Sequence, residues 1–188
     1  EEAIADNSLM AVTDGSYIKE IYPTLNSAAF VFECSKGRGR LWGYFVENTP
    51  DAGSYRGELL GLMAIHLILR GVNAVSPNLA GSVLILSDCL GALKKVGDLP
   101  PYQIPSRCRH SDILKNIMVN CSELSFSLTY AHVKAHQDDN KAYSSLPRDA
   151  QLNCQMDYHA KRAIYEASGP LEQPTRRFPL EPVCVLLG

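Results

Sequence analysis

Hydrophobic positions along the chain switch between short apolar or alternating runs and helical spacing, and the switches predict its elements. The run Leu9-Met10-Ala11-Val12 leads into Thr13-Asp14-Gly15-Ser16 and predicts a first strand over about 10–13, with Gly15 allowing the backbone to turn after it. Ala28-Ala29-Phe30-Val31-Phe32-Glu33-Cys34 and Leu41-Trp42-Gly43-Tyr44-Phe45-Val46 predict a second and a third strand. The short basic connection 35–40 makes those two antiparallel neighbours. Leu59, Leu60, Met63, Ala64, Leu67 and Ile68 then recur at helical spacing. That predicts a helix with Ser54 as its N-cap and Gly71 at its end. Glu58 lies beside the apolar stripe near the positive end of this helix, which favours a carboxylate by about 0.3–1 kcal/mol.

The continuous apolar run 82–87 has the length of a buried central strand. A helix over about 89–96 follows, then a proline-rich stretch at 99–105 and another helix over about 111–120. Period-two alternation at 124–130 marks a last strand. Residues 134–148 are polar and read as a loop before a final amphipathic helix over about 150–167. A meander of strands followed by alternating strands and helices predicts an α/β fold with a mixed sheet and helices packed on it. The pattern holds for residues 1–167 as one domain. Residues 168–188 carry Pro170, Pro174, Pro179 and Pro182 and read as an extended tail or linker.

Composition narrows the class. With 188 residues, 46% hydrophobic and 20% charged, the chain can bury a sizeable core. A net charge of −2 argues against a broad basic footprint for duplex binding. Six cysteines occur without a C-x-x-C pair, which argues against zinc. Their irregular spacing favours free thiols in a reducing compartment, the cytoplasm or nucleus. The acidic start is unlike a signal peptide, and no apolar run approaches the roughly 20 residues that span a bilayer. The first residue is not Met, which suggests a piece of a longer polypeptide.

The candidate chemistry lies in four acids from four elements. Asp14 follows the first strand, Glu58 sits early in an apolar helix, Asp88 ends the central strand, and Asp157 lies in the final helix. Singly, each has an ordinary explanation as a turn residue, a first-turn helix charge, an N-cap or a solvated position. Brought together they would repel one another. A site of hard oxygen ligands for magnesium or manganese gives that arrangement a purpose.

The ordered strings Thr13-Asp14-Gly15-Ser16, Arg56-Gly57-Glu58-Leu59-Leu60, Leu86-Ser87-Asp88, Val133-Lys134-Ala135-His136 and Asn153-Cys154-Gln155-Met156-Asp157-Tyr158-His159-Ala160-Lys161 resemble those of type 1 ribonuclease H domains, over residues 9 to 167. The segments 132–139 and 151–153 are similar to the versions in eukaryotic retroelement polyproteins. The resemblance implies a five-stranded sheet, a three-strand antiparallel meander plus two parallel strands, with the first and fourth strands adjacent at its centre. It implies cleavage of the RNA strand of RNA–DNA hybrids with two Mg2+ or Mn2+ ions, leaving 5′-phosphate and 3′-hydroxyl ends. Asp14 would be shared by both ions, with Glu58, Asp88 and Asp157 flanking. His136 would assist proton transfer or product departure, a task suited to a side chain of ordinary pKa about 6.5. It also implies tethering to a reverse transcriptase or another polyprotein domain, and a monomer as an isolated domain.

Several assignments have local rivals. Asp138 and Asp139 compete with Asp157 but read better as loop charges, and His132 competes with His136 but ends a strand. His66, His110 and His159 match no motif and read as surface or packing residues. Reading a 2′-hydroxyl would fall to the backbone of Gly15 and Ser16, the side chains of Ser54 and Tyr55, and Asn153. Bacterial members carry amides where Ser54 and Tyr55 stand and a polar residue where Leu90 stands, so this chain departs from them at its hybrid contacts. The basic handle helix of some members has only scattered Arg107, Arg109 and Lys115 in its place. The alternatives are a non-catalytic scaffold of the same fold, and a related metal-dependent nuclease or integrase acting on DNA.

Overall fold

The computed structural model describes residues 1–98, 104–105 and 107–167. The expected tail and most of the proline-rich stretch lie outside the described residues. Five strands form one sheet: β1 (Leu9–Ser16), β2 (Leu25–Cys34), β3 (Arg40–Asn48), β4 (Ser82–Ser87) and β5 (Ser127–His132), in the order β3-β2-β1-β4-β5. β1, β2 and β3 are an antiparallel meander, while β4 runs parallel to β1 and β5 parallel to β4. Sheet composition and direction agree with the expectation. A short helix α1 (Glu2–Ala5), without an apolar repeat to announce it, precedes β1.

Helices α2 (Ser54–Val75), α3 (Leu90–Asp98) and α4 (Ser111–Ser122) go with one apolar cluster, and α5 (Arg148–Glu166) with a second. The first cluster joins Ala11, Ala28 and Ile85 of the sheet to Leu59, Leu62, Ile65 and Leu69 of α2 and Ile113 and Ile117 of α4. The second joins Val12, Ala29, Val31 and Leu86 to Leu152, Met156 and Ala160 of α5. Successive strand residues face opposite sides, so Ala11 and Val12 serve different layers. Each fully buried Leu or Ile contributes about 1.5–3 kcal/mol relative to exposure.

The structure corrects several boundaries. Ser54 is the first helical residue and Gly53 is the N-cap; no side-chain hydrogen bond caps this end. The Gly53 amide instead donates to Asn26 Oδ1 at 2.7 Å. α2 does not stop at Gly71 but continues to Val75, because Val72 still packs against the first cluster. At 22 residues it is long and apolar enough to cross a membrane by length and composition, contrary to the reading of apolar runs alone. Here that length packs along the sheet, with eleven of its residues buried. The last strand begins at Ser127 rather than 124, since its ladder starts where Ser82 offers a partner. The polar loop before α5 contains two short 3-10 turns, Gln137–Asp139 and Tyr143–Ser145.

Candidate metal centre

Strand register brings the first two acids together. The parallel β1–β4 pairing ends at Val12 opposite Leu86, and Asp14 and Asp88 each lie two residues further on. Adjacent strands are about 4.8 Å apart, so both carboxylates emerge at the same end of the sheet. Asp14 is buried, and Asp88 is half-buried after the end of β4. The Asp88 backbone is held from β5, where His132 Nε2 donates to its carbonyl at 3.0 Å. His132 therefore acts as the structural residue that its place at a strand end suggests.

The third acid arrives from α2, which crosses β1 unusually closely. A Cβ on Gly15 would collide with the Gly57 and Glu58 backbone, and one on Gly61 with Thr13 Oγ1. This contact lowers Glu58 onto the strand end, where its Oε1 accepts the Gly15 amide at 3.2 Å. One carboxylate oxygen from each of Asp14, Glu58 and Asp88 then lies within 4.8 Å of the others. Glu58 Oε2 is buried with no hydrogen-bond partner.

Burial first, then repulsion from Asp88 and Asp157, pushes Asp14 up to about 7. Glu58 is likewise held well above the ordinary glutamate range by burial and by Asp14 and Asp88. Two buried carboxyls that resist ionisation, an unpartnered buried oxygen and an all-oxygen donor set fit a hard divalent cation. Bound positive charge would offset both shifts.

Asp157 stands apart from this trio. It projects from the middle of α5 and pairs with Lys161 at 2.7 Å, one turn on. It is still near enough to raise Asp14 electrostatically. Asn153, one turn earlier on α5, is buried, and its Nδ2 lies 3.4 Å from Asp88 Oδ2. Asn153 Oδ1 is buried without a partner beside the acids.

His136 is exposed, in the left-handed conformation (φ 50°), and leads into the turn Gln137–Asp139. Asp138 and Asp139 are exposed residues of that turn. Ser54 and Tyr55 are exposed on the first turn of α2. Ser16 is buried at the end of β1, and the Gly15 amide is committed to Glu58. His66 is a packing residue. Its Nδ1 donates to the Leu62 carbonyl at 2.7 Å, leaving Nε2 to accept from the Tyr130 hydroxyl at 2.8 Å. Sequence reasoning missed the ion pairs beside the site, buried Arg56 with buried Glu47 and half-buried Asp112. An arginine in the first turn of an otherwise apolar helix was the available signal.

No family model matches the chain, and no curated protein sequence matches it. Solved structures do match. The prototype foamy virus protease-reverse transcriptase aligns with a TM-score of 0.60 at 18% identity, over 84% of this chain and 21% of that one. Ribonuclease H1 from the halophilic archaeon Halobacterium salinarum aligns at 0.57 and 13%, over 85% and 98%. LC11 ribonuclease H1, solved in complex with an RNA/DNA hybrid, aligns at 0.53 and 14%, over 85% and 98%. The fold is that of ribonuclease H domains. The sheet here, an antiparallel meander on one side and two parallel strands on the other with β1 and β4 adjacent, matches that fold.

Proposed function

We propose that this chain is a nuclease that hydrolyses the RNA strand of RNA–DNA hybrids with two divalent cations, Mg2+ or Mn2+. The observation that carries the reading is the convergence of Asp14, Glu58 and Asp88 at the end of the two adjacent strands. Asp14, Glu58 and Asp88 would hold the cations, and Asp157 would join them by exchanging Lys161 for metal. When bound, a pair of such ions supplies an activated water and neutralises the charge gathering on the phosphate and the leaving oxygen. Asn153, whose Nδ2 lies 3.4 Å from Asp88 Oδ2, would steady that carboxylate and take part in substrate contact. His136, exposed on its turn, is free to carry a proton at the leaving group. Reading of a 2′-hydroxyl would fall to Ser54 and Tyr55, exposed on the first turn of α2, and to the backbone of Gly15 and Ser16.

The match to a segment of a foamy virus protease-reverse transcriptase supports a tether to a reverse transcriptase. We place the chain, as part of the same proposal, in the cytoplasm or nucleus. The test is cleavage of an end-labelled RNA–DNA hybrid with Mg2+, with and without EDTA, beside duplex DNA and duplex RNA. Hybrid-specific, EDTA-sensitive cleavage leaving 5′-phosphates is expected. Cleavage of duplex DNA in preference would overturn the reading in favour of an integrase-like activity, and no cleavage in favour of a scaffold.

A further inference from the structure

A second charged cluster lies behind the acids, on the first turn of the helix that delivers Glu58. Arg56 is 4% exposed, and its guanidinium grips Glu47 of β3 with two bonds, Nε at 2.7 Å and Nη2 at 2.6 Å. Nη2 also donates to Asp112 of α4 at 2.9 Å, and Nη1 donates to His110 Nδ1 at 3.3 Å. Glu47 in turn accepts from Asn26 Nδ2 of β2 at 3.2 Å, and Asn26 Oδ1 accepts the Gly53 amide. The ring closes on α2, since Gly53 and Arg56 both belong to its start. Asn26, Glu47 and His110 are buried as well.

Such a cluster is a poor device for stability alone, because desolvating the charges offsets their attraction. It is a good device for fixing geometry, because a planar guanidinium bonded at both ends tolerates little displacement. The geometry it fixes is that of the next two residues, Gly57 against β1 and Glu58 beside Asp14. Something must hold them there, since three carboxyl groups crowd together with oxygens within 4.8 Å of one another and no side chain caps the helix.

We infer that Arg56 is a positioning residue: clamped between Glu47 and Asp112, it anchors the first turn of α2 so that Glu58 is held against Gly15 and over Asp14. The magnesium readout rests on the proposed nuclease reading; the placement of Glu58 does not.

The test uses Arg56→Lys, Glu47→Gln and Asp112→Asn in the full chain. Amide exchange at Gly15 reports the bond to Glu58, and exchange at Leu62 and Ile85 reports the core. In variants that keep core protection, Gly15 protection is expected to fall roughly tenfold, the loss of about one hydrogen bond. The magnesium concentration for half-maximal cleavage should rise about 10- to 100-fold, as for other groups that orient metal ligands. A core-protected variant with wild-type Gly15 exchange and magnesium midpoint overturns the assignment. Loss of core protection in all three also overturns it, making the cluster a folding determinant. Absence of magnesium-dependent cleavage in the wild type would defeat the nuclease reading and leave Gly15 exchange to judge the clamp.

Discussion

Glu58 accepts the backbone amide of Gly15 across 3.2 Å, and that single bond joins the helix to the strand end that carries Asp14. It is possible only because neither Gly15 nor Gly61 has a side chain to hold the two elements apart. Placement of the third acid thus depends on two positions that have no side chain.

Gly61→Ala should therefore destabilise the fold by about 1–3 kcal/mol, the usual cost of forcing a methyl into a packed contact. The new methyl would meet Thr13 Oγ1. Gly71→Ala, in the same helix with nothing near its Cβ position, should stabilise by about 0.5–1 kcal/mol through helix propensity. Urea denaturation of both variants checks the pair. Equal effects would mean that α2 does not approach β1 as closely as described.

Asp14→Asn and Asp88→Asn should each reduce hybrid cleavage to below about one hundredth of wild type, the scale of losing a preorganised charge contact. The folded sheet should be retained, because size and shape barely change. Circular dichroism and a cleavage assay together decide it. Undiminished turnover in either variant would remove the acids from catalysis.

The metal-free protein should lose stability as pH rises from about 4 to about 7. Asp14 has a folded-state pKa of about 7 against an ordinary 3.8, so in that window the folded state holds a proton that the unfolded chain has released. Stability falls wherever the folded state binds more protons. Thermal melts in EDTA across this range, compared with Asp14→Asn, isolate the contribution; added Mg2+ should flatten it. An identical slope in Asp14→Asn would show that the carboxyl ionises freely.

Much of this arrangement was legible in the sequence. Asp14 and Asp88 could be read as strand-end acids because the apolar runs before them are short and cleanly bounded. Glu58 could be placed beside an apolar stripe by its spacing. What stayed hidden depends on distant partners. The extent of β1 to Ser16 is set by pairing with Ser27, and the start of β5 by Ser82. Gly71 looked like a terminator, but the contacts of Val72 outweigh its propensity cost. The Asn26–Glu47–Arg56–Asp112 network joins four elements with no common spacing. Asp157 pairs with Lys161 one turn on and also acts electrostatically on Asp14, and its reach to Asp14 follows from how α5 lies across the sheet rather than from any spacing.

His136→Ala should slow cleavage without abolishing it. The residue is exposed, lies outside the carboxylate trio and adopts a left-handed backbone at the mouth of a short turn. General acid–base assistance contributes typically 10²–10⁴-fold, and a side chain in an open loop belongs at or below the lower end of that range. The measurement is a single-turnover and a steady-state rate for each protein, since a role in product departure lowers only the second. Complete loss of the single-turnover rate would place His136 among the metal ligands, and unchanged values for both rates would make it an ordinary surface histidine.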